Sequence, residues 1–191
     1  MTALVLASAS PRRQELLRVL GLDFTVVPAD IDERELPGEV PIAYVERVAR
    51  QKVEAVVAAL GADADADPDG VVVLAADTTV DVDGEILAKP VDDATAKRML
   101  RLMSGRTHQV HTAVVLSDRG LVRAVTVTTD VTFVALTDDV IDWYLAIGEH
   151  RDKAGAYGMQ GAGGALVARI DGSPSNVIGL PLAETWRLLG G

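Results

Sequence analysis

The chain contains no cysteine, which excludes a disulfide frame and a thiolate zinc site. No apolar run approaches the ~20 residues that a membrane-spanning helix needs. Basic residues are scarce: 18 Lys and Arg stand against 28 Asp and Glu, for a net charge of −10. Such a balance lacks the basic face on which nucleic acid binds, so no nucleic-acid polymer is expected as a partner. Two common phosphate motifs are missing as well. There is no Gly-x-x-x-x-Gly-Lys-Ser/Thr, and Gly161-Ala162-Gly163-Gly164 neither follows a strand nor completes the dinucleotide fingerprint. No basic segment precedes the short N-terminal apolar run, so a signal peptide is not expected. We expect a soluble, cytoplasmic protein with no membrane partner. Its 191 residues, 49% of them hydrophobic, suffice for one full core.

Where cations are few, their placement is informative. Ala3-Leu4-Val5-Leu6-Ala7 reads as a buried strand, and Leu16, Leu17 and Leu20 then recur at helical spacing until Gly21. Ser10 suits the N-cap and Pro11 the first helical position. Arg12 and Arg13 therefore fall in the first turn, at the positive end of the helix dipole, where a cation is unfavourable by roughly 0.3–1 kcal/mol unless an anion joins it. With the hydroxyls of Ser8 and Ser10 beside them, the pattern points to a phosphate or carboxylate site at the strand-to-helix turn. The plainer reading is a pair of solvated arginines.

Further along, Phe24-Thr25-Val26-Val27 reads as a strand, followed by the acidic loop Asp30-Ile31-Asp32-Glu33. A helix is predicted from about Pro41 to Leu60, and Lys52 falls inside its apolar stripe. That lysine either snorkels along the apolar face or aims an ammonium into a cleft. Within the loop from Gly61 to Gly70, Asp65-Ala66-Asp67-Pro68-Asp69-Gly70 imitates the start of a calcium loop, but Ala76 stands where the bidentate glutamate belongs, so the loop reads as a solvated linker. The run Val71 to Ala76 has the pattern of a strand covered on both faces and is expected to end abruptly at Asp77-Thr78-Thr79. Asp83-Gly84 is a two-residue hairpin signal, whose returning strand delivers Lys89 before Pro90. The neighbouring pair Asp81 and Asp83 reads as turn chemistry.

Asp92 is expected to cap a helix through about Met103. Two β-rich stretches, His108 to Ser117 and Leu121 to Leu136, suggest antiparallel strands. Thr137 caps a helix through about Ile147. A glycine-rich segment follows from Lys153 to Gly164, then a strand from Ala165 to Ile170, a loop from Asp171 to Pro181 and a short final helix. The class is α/β with a mixed sheet.

A carboxylate such as Asp77 at the end of a buried strand can bind Mg²⁺ or activate water, or else serve as a structural cap. Glu33 can supply a second hard oxygen ligand. Arg13, Lys52 and Lys89 can then neutralise a polyphosphate, which with a metal is most of what phosphoryl transfer requires. The three histidines are expected to be bystanders: His108 and His111 point to opposite faces of a strand, and His150 is isolated.

Together these pieces resemble the Maf-like nucleoside triphosphate pyrophosphatases. The resemblance rests on Ser8-Ala9-Ser10-Pro11-Arg12-Arg13, Ala75-Ala76-Asp77-Thr78, Lys89-Pro90 and Ser104-Gly105-Arg106-Thr107-His108. It continues through residues 152–161, Asp-Lys-Ala-Gly-Ala-Tyr-Gly-Met-Gln-Gly, to Gly179-Leu180-Pro181. It implies a single two-lobed domain over residues 1–191, with a Maf/inosine-triphosphatase-like fold and a central cleft. It also implies that Asp77 is the proton acceptor activating water against the α-phosphate, and that a divalent metal, Mg²⁺ or Mn²⁺, is required. Glu33, Lys52, Lys89 and Arg13 would gather round metal and phosphates, with Glu33 and Asp77 as the metal ligands. Ser8 and Ser10 join the substrate site, and Arg12, Thr78 and Gln160 are the positions linked to base choice.

The branch resembled acts on dTTP and UTP, so pyrimidine nucleoside triphosphates are the expected ligands. A glutamine amide offers one donor and one acceptor, matching the O4/N3–H edge that uracil and thymine share. The alternatives are a purine-directed pyrophosphatase and a non-catalytic, nucleotide-binding regulator of septum formation. A homodimer stays open. Two positions depart from the family pattern: His150-Arg151, where relatives often carry a Pro-containing pair, and Ala88 before Lys89, where glycine is common.

Overall fold

The computed structural model describes residues 3–61 and 70–191. Most of the segment read as a linker, residues 62–69, lies outside the described residues. Seven strands among those described form one mixed sheet in the order β2 (Thr25–Val26), β1 (Ala3–Leu6), β3 (Val71–Val82), β5 (Thr107–Asp118), β6 (Leu121–Phe133), β7 (Val167–Asp171), with β4 (Glu85–Leu87) pairing a further stretch of β3. The α/β class and mixed sheet read from the sequence are what the structure shows. No described helix is long and apolar enough to cross a membrane.

Three long strands organise the molecule: β3 (Val71–Val82), β5 (Thr107–Asp118) and β6 (Leu121–Phe133). At 12 to 13 residues they are about twice the usual strand length, so each serves two regions. In the first region the two faces of β3 and β5 divide by residue parity. Val73, Ala75, Ala113 and Val115 meet Val45, Val48, Ala49, Val53 and Val56 of α2 (Pro41–Gly61). Leu74, Ala76, Val114 and Leu116 meet Leu16 and Leu17 of α1 (Pro11–Val19) and Leu180. In the second region Val80, Val82, Val110, Val131 and Phe133 pack on α3 (Asp93–Met103) and α4 (Asp138–Ile147).

Between the regions β3 loses a neighbour. The parallel strand β1 (Ala3–Leu6) pairs with Val71 through Leu74 and then departs, while β4 (Glu85–Leu87) pairs only with Val80 through Val82. On the other side β5 runs alongside without a break. Residues 75–79 thus have a strand on one side only, and the cleft opens into that gap.

The capping logic holds where it was readable. Ser10 Oγ accepts the Arg13 N–H with Pro11 opening α1, Asp92 accepts from Thr95 N–H at 2.7 Å, and Thr137 caps α4. Four expectations need correction. Residues 24–27 contribute only the two-residue strand β2 (Thr25–Val26). β3 does not end at Asp77: its polar residues continue the strand past the gap to Val82. The strand expected at Ala165 is preceded by a 3-10 turn, Ala162–Leu166, and β7 is Val167–Asp171. The loop expected from Asp171 to Pro181 contains a helix, α5 (Pro174–Ile178), capped by Ser173 with Pro174 at its first position, before α6 (Leu182–Leu188).

Candidate active site

The gap in the sheet opens into a cavity of about 1060 Å³. Ten side chains singled out from the sequence line it: Ser8, Ser10, Arg12, Arg13, Glu33, Lys52, Asp77, Thr78, Lys89 and Gln160. They come from β1–α1, the β2–α2 loop, α2, β3, the segment after β4 and the glycine-rich segment, so the fold gathers residues spread over 150 positions.

Adjacent residues of β3 equip the two faces. Asp77 points toward α2, where Lys52 Nζ stands 2.8 Å from its Oδ1 and 3.0 Å from Oε1 of Glu33. Lys52 and Asp77 are only 6% and 5% exposed, so the lysine is the cleft ammonium rather than a snorkelling side chain. Burial raises the Asp77 pKa above its ordinary value, against the opposing pull of Lys52 and Arg13. A carboxylate shifted in that direction is a better proton acceptor than a solvated one.

Thr78 points toward α1. The Arg13 guanidinium donates to Thr78 Oγ1 at 3.0 Å, to the Gly179 carbonyl at 2.9 Å and to Ser8 Oγ at 3.4 Å. Thr78 Oγ1 is also 2.9 Å from Thr112 Oγ1, whose hydroxyl reaches the Asn176 carbonyl of α5. The Arg13 fork is therefore not a solvated group, as the plainer reading of the first turn had it. It is fixed on neutral oxygens, which holds its direction and leaves its charge uncompensated by an ion pair among the described residues. Burial lowers its pKa, and the charges of Asp77 and Glu33 oppose that shift. Ser10 Oγ serves as the helix cap and Ser8 Oγ accepts from Ser10 N–H at 3.2 Å, which leaves both hydroxyl hydrogens able to donate.

Opposite α1, the far wall is the glycine-rich segment. Arg12 reaches the Asp152 carbonyl at 3.3 Å, and Lys153 Nζ donates to the Glu149 carbonyl at 2.5 Å. Burial, and then the nearby Arg12 charge, lowers the Lys153 pKa. Lys89 and Gln160 stand exposed at the rim. Among the lining residues that the sequence did not mark, two have a clear structural role. Tyr44 of α2 donates to the Glu33 carbonyl at 3.0 Å, fixing the acidic loop. Glu149 accepts the Gly163 N–H at 2.9 Å. Tyr44 packs among the apolar residues of α2 and carries no motif, and Glu149 follows a helix with no motif to mark it.

The histidines do stand apart from this cavity. His108 is held by Tyr157, His111 lies between Thr128 and Asp81, and His150 bonds Asp93 at 2.9 Å. Asp81 caps the hairpin turn through the Gly84 N–H at 2.7 Å. Of the positions expected to depart from the family pattern, Ala88 and Arg151 line the cavity and His150 is buried.

A cation-lined cleft around a buried carboxylate, entered through a gap in a mixed α/β sheet, is the apparatus of an enzyme acting on a small anionic substrate. The chain belongs to the Maf-like protein family, whose model matches residues 3–191. It is 54% identical over 190 residues to the dTTP/UTP pyrophosphatase of Anaeromyxobacter dehalogenans strain 2CP-C, covering 97% of this chain and 92% of that one. It is 51% identical over 189 residues to the proteins of that name from Methylobacillus flagellatus and Escherichia coli O157:H7, with 99% and 92% covered in both cases. Among solved structures it resembles the Ham1 protein of Staphylococcus aureus, with a TM-score of 0.48, 20% identity, and 69% and 71% of the two chains covered.

Proposed function

We propose that the protein is a nucleoside triphosphate pyrophosphatase that hydrolyses dTTP and UTP to the nucleoside monophosphate and pyrophosphate. The observation that carries this reading is the convergence of Arg13, Lys52 and Lys89 with the buried Asp77 on one cavity. The relatives' name supplies the substrates. Asp77 takes a proton from water as the water oxygen attacks the α-phosphorus. The bond from that phosphorus to the α,β-bridging oxygen breaks, and pyrophosphate leaves with the electron pair. The Lys52 ammonium, 2.8 Å away, favours the Asp77 carboxylate and partly offsets the burial that raises its pKa. Arg13 and Lys89 draw the phosphate chain into line, and Ser8 and Ser10 donate to its oxygens. Arg12, Thr78 and Gln160 face the nucleoside.

A divalent metal fits the donor set. Asp77 and Glu33 bring carboxylate oxygens to the same wall of the cavity, where they flank Lys52 Nζ at 2.8 and 3.0 Å. No group of three or more acidic or histidine side chains is gathered to hold a metal among the described residues. One or two carboxylates completed by substrate phosphates and water is the habit of Mg²⁺, so Asp77 and Glu33 would hold Mg²⁺ or Mn²⁺, which would offset the phosphate charge. We read the whole chain as one two-lobed domain working in the cytoplasm. Pyrophosphate release from a panel of dTTP, UTP, CTP and dITP, with and without Mg²⁺ or Mn²⁺, tests the proposal. Metal-dependent release that is strongest for dTTP and UTP is expected. Release from dITP alone would replace it with a purine-directed enzyme, and no release at all would leave a binding protein.

A further inference from the structure

We infer that Glu149 is a positioning residue that shapes the base-reading wall of the cleft. The inference rests on the proposed function for its substrate and on the structure for its mechanism. Gln160 lies at the exposed tip of residues 158–163, a stretch with glycines at 158, 161 and 163. Such a stretch has little intrinsic preference for one shape and must be held by something else. Glu149, just past the end of α4, holds it. Its Oε2 accepts the Gly163 N–H at 2.9 Å, and the Tyr144 hydroxyl accepts the Gly158 N–H at 3.2 Å, so the loop is pinned on both sides of Gln160.

The carboxylate also explains Gly161, and the Lys153 side chain that bonds the Glu149 carbonyl explains Gly158. A Cβ at Gly161 would stand 1.8 Å from Glu149 Oε1, and one at Gly158 would stand 2.5 Å from Lys153 Cε. Those side chains occupy the space that ordinary residues would need, so the loop closes over them as over a template. Lys153 Nζ in turn donates to the Glu149 carbonyl, which ties a cation of the cleft to the same residue. Glu149 thus sets where the Gln160 amide stands without itself needing to touch a nucleotide.

The inference separates two variants. Glu149→Ala removes the acceptor and the template, whereas Glu149→Gln keeps the volume and one oxygen to accept from Gly163. In Glu149→Ala the preference for UTP over CTP should fall about tenfold, a misplaced hydrogen-bonding pair in a partly desolvated site. The change should appear in KM, with kcat kept within about twofold, since the residues around the α-phosphate are untouched. Glu149→Gln should restore the preference. Amide hydrogen exchange on the free protein should show faster exchange at residues 158–164 in Glu149→Ala and near wild-type exchange in Glu149→Gln. An unchanged UTP/CTP ratio in Glu149→Ala, unchanged exchange in the loop, or a Glu149→Gln variant as impaired as Glu149→Ala would each overturn the inference. Exchange is read without substrate, so it decides the template role even if the wild-type protein releases no pyrophosphate, which is the separate failure of the proposed function.

Discussion

Asp77 and His108 are both almost fully buried in the same sheet, at 5% and 2% exposure, yet the fold treats them in opposite ways. Asp77 sits where β3 has lost a neighbouring strand and is given charged company: Lys52 at 2.8 Å, with Glu33 and Arg13 close by. His108 sits at the start of β5, paired with Val131 of β6 and edge-on to Phe133 and Tyr157, with the Tyr157 hydroxyl 2.9 Å from Nε2 and no partner for Nδ1 among the described residues. Burial there drives its pKa down to about 4, so it is neutral at pH 7. Burying a charge is costly unless it is paired. The fold accepts that cost beside the cavity and avoids it in the core, which separates a working group from a packing group more clearly than residue type does.

The largest effect should come from deleting the charge at the cleft end. Asp77→Asn keeps the shape and removes the proton acceptor, which should lower kcat by about 10²–10⁴-fold. The melting temperature should stay level or rise, because the substitution removes a carboxylate that burial disfavours. A variant that keeps a tenth or more of wild-type kcat excludes Asp77 as the base and makes the two buried groups alike.

Removing the cation instead should break the cluster from the other side. Lys52→Met leaves Asp77 buried and facing Glu33 with no ammonium between them. Breaking a buried pair by removing one partner destabilises by about 3–5 kcal/mol. The lower end is expected here because the Glu33 side chain is 41% exposed and can turn to water. Urea denaturation measures the loss. A Met variant as stable as wild type would mean that the lysine contributes only its aliphatic stem.

His108 sharpens the comparison through pH. Its folded pKa of about 4 lies below the ordinary value of 6.5. Between those values the unfolded chain binds a proton that the folded protein refuses, so stability falls as pH drops from 6.5 toward 4. At pH 5 the loss attributable to this group is about 2 kcal/mol. His108→Gln can still bond the Tyr157 hydroxyl but cannot titrate. Its stability should decline less than that of wild type between pH 7 and pH 5, while its pyrophosphatase activity at pH 7 stays close to normal.

The legibility of the chain follows the same division. Side chains whose type conflicts with their local setting were visible at once: two arginines in a first turn, a lysine in an apolar stripe, an aspartate ending an apolar run. All of them line the one cavity. Legibility failed where the reason for a residue lies far away in sequence. Asp77 read as a strand end because the departure of β1 and the arrival of β4 cannot be seen from β3 alone. Helix α5 hid between Gly172 and Gly179, since five residues carry too little periodicity to register. The fixing of Arg13 was invisible because its acceptors, Thr78 and the Gly179 carbonyl, lie 65 and 166 residues away.

Tyr44 offers the finest cut between a packing group and a working group, because it looks like core and is nonetheless tied to the cleft. It is buried in the α2 stripe with Val45 and Val48, while its hydroxyl donates to the Glu33 carbonyl at 3.0 Å. Tyr44→Phe removes that one bond and keeps the ring. The freed carbonyl lies beside the open cavity, where water can satisfy it, so the stability loss should be no more than about 0.5–1.5 kcal/mol. If the bond holds Glu33 over Lys52 and Asp77, kcat/KM should fall by roughly two- to tenfold, the same energy read as a rate. The concentration of Mg²⁺ giving half-maximal rate should rise with it, because Glu33 is one of the two carboxylates assigned to the metal. A loss of stability with unchanged kinetics and unchanged Mg²⁺ dependence would return Tyr44 to the core and leave the acidic loop positioned by Lys52 and by Arg47, whose guanidinium donates to the Arg34 carbonyl at 3.0 Å.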